Sequence, residues 1–222
     1  MKRLVALLIF CTAAWAQVAT KANENYKTPQ GRASIAAGLG DPERDATEKP
    51  KEIVANMGIQ PGMTVADVGT GVGYMLPFLS AAAGPDGKVL AEDIQTDFLD
   101  KAKARARKDK LTNIDFVLGT DKNPKLPEDS VDRILVLEVY HHFDYPADML
   151  SRLRAALKPG GRLVIVDFYK RRGAMGDGDR ALQHIRLDED GVIKEVEENG
   201  FRLVSQHEHI PKRQYMAIFE KK

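Results

Sequence analysis

The order of apolar runs between residues 63 and 168 constrains this chain more than any other feature. Met63 to Val68 is a short valine-rich run, Tyr74 to Ala83 has helical spacing, and Lys88 to Ile94 is strand-like again. Thr96 to Lys108 returns to helical spacing and Ile114 to Leu118 to strand. Val131 to Val139 is apolar apart from Asp132, Arg133 and Glu138, as a strand covered on both faces should be. Ala147 to Leu157 predicts a helix, Lys158-Pro159-Gly160-Gly161 ends it, and Arg162 to Phe168 is a further buried strand. Strands alternating with helices over such short connections predict a parallel sheet with helices on both faces. The fold class is α/β, doubly wound.

The tail changes character. Asp188 to Asn199 carries Val192, Ile193 and Val196 at helical spacing, and Gly200 is placed to end that helix. Two strand-like runs follow, Phe201 to Ile210 and Arg213 to Glu220, with Pro211 and Lys212 between them. They predict a terminal antiparallel hairpin, which brings the sheet to seven strands, mostly parallel.

At the other end, Lys2 and Arg3 precede an apolar run from Leu4 to Ala14, and Ala14-Trp15-Ala16 has the small-x-small form of a signal-peptidase site. The run is shorter than the roughly 20 residues that a membrane span needs. Residues 1–16 are expected to be a removed export signal, leaving the protein periplasmic or secreted with no stable membrane span. Left uncleaved, they would anchor it. The only cysteine, Cys11, lies inside this segment, so the mature chain would have no disulfide and no thiolate nucleophile. Residues 17–49 are polar and turn-rich and predict an extended arm followed by a lid. Ile53, Val54 and Met57 suggest a short helix closed by Gln60-Pro61-Gly62, so the main domain is expected over residues 50–222.

Charge narrows the partners. With 33 basic and 32 acidic side chains the formal net charge is +1, without the basic excess that nucleic-acid binding leaves in a sequence. Lys101, Lys103, Arg105, Arg107, Lys108 and Lys110 do cluster, but among alanines at helical spacing, and read as a solvated helix face.

The chemistry begins where the first strand turns into the first helix, at Val65-Ala66-Asp67-Val68-Gly69-Thr70-Gly71-Val72-Gly73. Glycines there let the backbone turn sharply and let a ligand approach where a Cβ would obstruct it. The spacing is GxGxG, which alone discriminates weakly. Asp93, 20 residues after Gly73 at the end of the second strand, stands where carboxylates accept hydrogen bonds from ribose hydroxyls in nucleotide-binding folds. Its neighbour Glu92 points to the opposite face by strand alternation and is the weaker candidate.

The segments VADVGTGVGY, GKVLAEDIQTDFL, IDFVLGTDKNPKLPEDSVDRILVLEVYHHF and LRAALKPGGRLVIVDF occur in this order from about Lys51 onward. In these four segments the chain resembles the class I S-adenosyl-L-methionine-dependent methyltransferases, which are Rossmann-like. The resemblance implies S-adenosyl-L-methionine as cofactor, with Asp67, Gly69, Thr70, Gly71 and Gly73 around its methionine end and Asp93 on its ribose. It further implies Ile94 against the adenine and Thr120 and Asp121 at the adenine edge, although Asp121 could instead simply open the turn before Asn123-Pro124.

A sulfonium donor carries its own leaving group, so such an enzyme mainly holds nucleophile, methyl carbon and sulfur in line. A general base helps if the acceptor is a hydroxyl. Glu138-Val139-Tyr140-His141-His142-Phe143 falls where the family's acceptor pocket opens, making His141 and His142 the candidate catalytic residues. Adjacent histidines on an extended chain point apart, so at most one is expected to face substrate, and packing is the competing role. No third ligand stands at a metal-site spacing, so no metal is expected; His184, His207 and His209 receive no role. The acceptor is expected to be a small molecule. The absence of an Asn-Pro-Pro-Tyr run speaks against amide or base-amine methylation, and the lack of mature cysteines against arsenite chemistry. Two other readings stay open, a non-catalytic cofactor-binding protein of the same fold and an NAD-dependent oxidoreductase. The glycine spacing and the hairpin tail disfavour the second.

Overall fold

The computed structural model describes residues 17–41 and 43–222, so the expected export segment at residues 1–16, with Cys11, lies outside the described residues, as does Pro42. The described residues form one seven-stranded sheet of β1 Thr64–Val68, β2 Lys88–Asp93, β3 Ile114–Leu118, β4 Val131–Leu137, β5 Leu157–Phe168, β6 Phe201–Ile210 and β7 Gln214–Lys221. Their spatial order is β3-β2-β1-β4-β5-β7-β6, with β7 antiparallel to both of its neighbours and the other pairings parallel. The expected doubly wound sheet with its terminal hairpin is what forms.

Alternation along the central strands explains the two-sided core. Ile134 and Val136 of β4 and Leu163 and Ile165 of β5 face one side, where α6 (Pro146–Ala156) brings Leu150 and Leu153 and α8 (Glu189–Glu198) brings Val192 and Val196. Leu135, Leu137, Val164 and Val166 face the other side. There they meet Ile53 and Met57 of α3 (Pro50–Met57), Leu76 and Leu79 of α4 (Leu76–Ala83) and Ala102 of α5 (Thr96–Lys108). Each aliphatic side chain buried in this way contributes about 1.5–3 kcal/mol, which is why the apolar run of β4 admits no alternating polar face. Helix α5 buries Phe98, Leu99, Ala102 and Ala106 and turns its lysines and arginines outward, as a solvated face. Arg105, Arg107 and Lys108 in its last turn complement the helix dipole.

Two segments differ from the expectation. The Lys158–Gly161 stretch belongs to β5, pairing from Leu157 with Val131 across a register break between Val131 and Arg133. The arm is helical: a 3₁₀ turn at Glu24–Lys27 leads to α1 (Pro29–Leu39) and α2 (Arg44–Glu48). Thr28 caps α1 by accepting the backbone hydrogen of Gly31, and Pro29 opens its first turn. Helices this short draw their stability from docking, and the docking surface is the sheet's carboxyl edge. The sheet order reverses between β1 and β4, and a crevice forms outside the carboxyl ends of such strands.

Candidate functional site

The turn after β1 is held to β2 by its own backbone. Gly69 and Thr70 both donate to Glu92 O, at 2.9 and 2.8 Å, and Gly71 donates to Asp93 Oδ2 at 2.9 Å. Gly69 has φ 75°, and a Cβ there would meet Cγ2 of Val139 at 2.5 Å. Gly71, at φ 56°, lets the arm approach closely, since a Cβ there would meet Cδ1 of Leu39 at 3.0 Å. Asp67 is buried at the end of β1 and accepts a hydrogen bond of 2.7 Å from the Thr70 hydroxyl.

These residues open onto a cavity of about 330 Å³, within the range of small-molecule sites. Asp67, Gly69, Gly71, Asp93, Ile94 and Asp121 line it. Thr70 acts behind the wall through Asp67, and Gly73 packs against Leu76 and Ala102. Thr120 pairs with Asn123 and so shapes the tight turn that presents Asp121 to the cavity.

Glu92 corrects the strand-alternation argument. It lines the same cavity as Asp93, because the strand ends there and the chain turns away at Ile94. Asp93 accepts from the backbone of Gly71 and of Gln95, whereas Oε1 of Glu92 has no hydrogen-bond partner among the described residues. A buried carboxylate oxygen without a donor fits a ligand that brings hydroxyl groups, as a ribose does. Burial raises Asp67 and Asp93 to about 6 and pushes Glu92 well above the usual carboxylate range. A cavity ringed by buried carboxyls suits a cationic ligand such as a sulfonium.

The opposite wall comes from the arm and from the segment after β4. Arg44 of α2 bonds Glu138 Oε2 at 2.9 Å and lies 4.2 Å from the centre of the Tyr74 ring. Gln214 Nε2 bonds both Glu138 Oε1 and Glu48 Oε2 at 2.6 Å, and His209 donates to Glu48 O at 3.0 Å. Glu138 has φ 56°, a conformation that non-glycine residues adopt rarely and that clusters at functional sites. Burial, then the nearby Glu48, raises its pKa, and Arg44 opposes the rise. Arg44 and Glu48 stand in no sequence motif, and Glu138 only opens the Glu138–Phe143 segment without a role of its own; burial and convergence mark all three.

The two adjacent histidines do not point apart. Tyr140–His142 is a 3₁₀ turn instead of an extended chain, and their rings stand 4.1 Å apart, centre to centre. His142 lines the cavity and His141 does not. Nδ1 of His141 lies 2.7 Å from Asp167 Oδ1, and that carboxylate also accepts from the backbone of His141 and Phe168. Nδ1 of His142 lies 2.8 Å from Asn23 Oδ1, while the Asn23 amide nitrogen donates to His142 O. In both rings Nδ1 is therefore the donor, and in His142, whose buried ring resists protonation, Nε2 keeps its lone pair. His184, at the end of α7 (Arg180–His184), brings its ring to 5.1 Å from that of His141 and 5.3 Å from that of His142. Burial and the neighbouring imidazoles lower the pKa of His142 well below 6.5 and that of His184 to about 4.

Residues 66–165 match the model of the methyltransferase domain family. A SAM-dependent methyltransferase of Aquifex aeolicus has a solved structure 30% identical to this chain. The alignment covers 84% of this chain and 96% of that one with a TM-score of 0.77. Arsenite methyltransferase of Halobacterium salinarum is 27% identical over 61% of this chain and 32% of its own length. The ubiquinone/menaquinone biosynthesis C-methyltransferase UbiE of Bordetella avium is 29% identical over 53% of this chain and 45% of its own. The chain thus spans about a third to just under half of these two curated relatives. With 30% identity over nearly the whole Aquifex aeolicus enzyme and a methyltransferase-domain match within the same sheet, the chain belongs to the class I S-adenosyl-L-methionine-dependent methyltransferases.

Proposed function

We propose that the protein transfers the methyl group of S-adenosyl-L-methionine to a small-molecule acceptor held between His142 and the N-terminal arm. One observation carries this reading: a single cavity joins the glycine turn and Glu92–Asp93 on one side to His142, Tyr26 and Arg44 on the other. The cofactor supplies an electrophilic methyl and a neutral thioether leaving group. Glu92 and Asp93 fix the adenosine end, Asp67 and the Gly69–Gly71 backbone orient the methionine end, and Ile94 offers an apolar surface to the adenine. The arm excludes water: Val18 donates to Asp144 O, Ala19 to Asp144 Oδ1, and Arg32 pairs with Asp97. Alignment and desolvation of this kind are most of what methyl transfer from a sulfonium requires.

Of the two candidate histidines, His142 is placed to accept a proton from an acceptor in the cavity, while His141 works behind it. A small acceptor suits an enclosed cavity that the arm roofs over. An arsenite acceptor, as named for the Halobacterium salinarum relative, is disfavoured because the only cysteine is Cys11. The export reading keeps its support from the charged start, the apolar run and Ala14-Trp15-Ala16. A cut after Ala16 leaves the arm that roofs the cavity intact.

The test follows methyl-labelled S-adenosyl-L-methionine into the small-molecule fraction of a host extract, alongside calorimetry with S-adenosylhomocysteine. Label in a small molecule supports the proposal. Tight S-adenosylhomocysteine binding with no transfer to any fraction would make the chain a cofactor-binding protein.

A further inference from the structure

His141, His142 and His184 each offer a ring nitrogen, and these atoms all lie within 4.8 Å of one another. A tetrahedral zinc site, with Zn–N bonds of about 2.0–2.1 Å, needs nitrogens roughly 3.3 Å apart. The rings must draw closer as an ion binds, and His184, the least buried of the three, sits at the end of a short helix. The surroundings are those of a ligand set. A metal-bound histidine usually donates its second ring nitrogen to a carboxylate or carbonyl, which fixes its tautomer and orientation. His141 does so to Asp167, which is 2% exposed, and His142 to the Asn23 side chain. His184 is held by its own small core, in which Phe168, Ala174, Ala181 and Ile185 pin α7 to the end of β5.

We infer that these three histidines form a site for a borderline divalent transition-metal ion, with Zn²⁺ as its natural occupant, at the acceptor edge of the cavity. Three neutral imidazoles suit zinc, cobalt or nickel and not the hard cations magnesium and calcium, which take oxygen ligands. Three protein ligands leave a coordination position free, and a position on the His142 side faces the cavity. An acceptor hydroxyl taking that position would release its proton to solvent more readily, and the oxygen would then attack the methyl carbon as the carbon–sulfur bond breaks. In that state the lone pair of His142 is on the metal, and the ion replaces it as the means of activating the acceptor. This catalytic role rests on the methyl-transfer reading, whereas the ion site itself does not.

The experiment uses untagged full-length protein, freed of metal and titrated with Co²⁺ while visible absorption is followed, then challenged with Zn²⁺ and with Mg²⁺. The expected result is one Co²⁺ per chain with the intense visible bands of a four-coordinate site, displaced by Zn²⁺ and untouched by Mg²⁺. His184→Ala, a surface change, should abolish that signal. Asp167→Asn should weaken the site about 10–100-fold. Absence of a stoichiometric signal, displacement by Mg²⁺, or a His184→Ala protein that binds Co²⁺ like the unaltered chain would each overturn the inference. S-adenosylhomocysteine affinity, measured in parallel, separates the two ideas: cofactor binding without cobalt sinks the ion site alone, and cobalt without cofactor binding sinks the methyl-transfer reading alone.

Discussion

Arg44 and Glu138 meet at 2.9 Å with only 13% and 14% of their side chains exposed, and that ion pair is the direct tie between the lid helix and the segment that follows β4. Removing one partner of a buried pair leaves the other charged and desolvated, at a cost of about 3–5 kcal/mol. Glu138, whose pKa is already raised, can take up a proton and bring the loss toward the lower figure. Arg44→Met should therefore destabilise the ligand-free protein by about 3 kcal/mol and weaken S-adenosylhomocysteine binding as the lid loosens. Urea unfolding and calorimetry measure the two effects; an unchanged unfolding midpoint would show that the pair does not hold the lid.

Glu92→Gln takes away the ionised form that cofactor hydroxyls and the sulfonium would favour on the unpartnered oxygen, while keeping its shape. Hydrogen bonds to a charged acceptor contribute about 1.5–3 kcal/mol, so cofactor affinity should fall roughly 10- to 100-fold with little change in melting temperature. Asp93→Ala should lose a similar affinity and also melt earlier, because Asp93 fastens the backbone of Gly71 and Gln95. Affinities equal to the unaltered protein in folded Glu92→Gln would exclude Glu92 from the ribose site.

Asp67 and Asp93 titrate near 6 in the folded protein, raised chiefly by burial from the ordinary value of 3.8. Between those two values the folded chain holds more protons than the unfolded one, so their contribution to stability is greatest below about pH 4 and falls as pH rises through 6. Cofactor hydroxyls and the sulfonium favour the ionised carboxyls, so affinity should run the opposite way and strengthen from pH 5 to pH 7.5. Thermal unfolding with and without S-adenosyl-L-methionine across this range checks both. A melting-temperature gain from cofactor that is no larger at pH 7.5 than at pH 5 would contradict the assignment of these two acids to the cofactor.

Export makes a separate prediction: intact mass and N-terminal sequencing of protein from its native host should show a chain starting at Gln17 in the extracytoplasmic fraction. A soluble cytoplasmic chain that retains Met1 would refute it.

The sequence by itself determined the sheet and the glycine-turn side of the cavity. Both are local: valine-rich runs, helical spacing and the Gly69–Gly73 turn are written in consecutive residues, and strands and helices alternating over short connections leave few topologies. Helix α5 and strands β3 and β6 have the limits that their apolar spacing predicts. Tertiary structure decided the rest of the site. Helix α1, PQGRASIAAGL, buries only Ala36 and so carries no apolar stripe, α2 has five residues, and both form because they dock over the crevice. Glu92 joins Asp93 because the strand ends at that point and alternation no longer applies. Arg44 reaches Glu138 across 94 positions of sequence, Asn23 orients a ring 119 positions away, and His184 meets His141 and His142 only because β5 and α7 return the chain to the mouth of the cavity. Such contacts leave no periodic trace, since each depends on where separate elements come to rest once their apolar faces are buried.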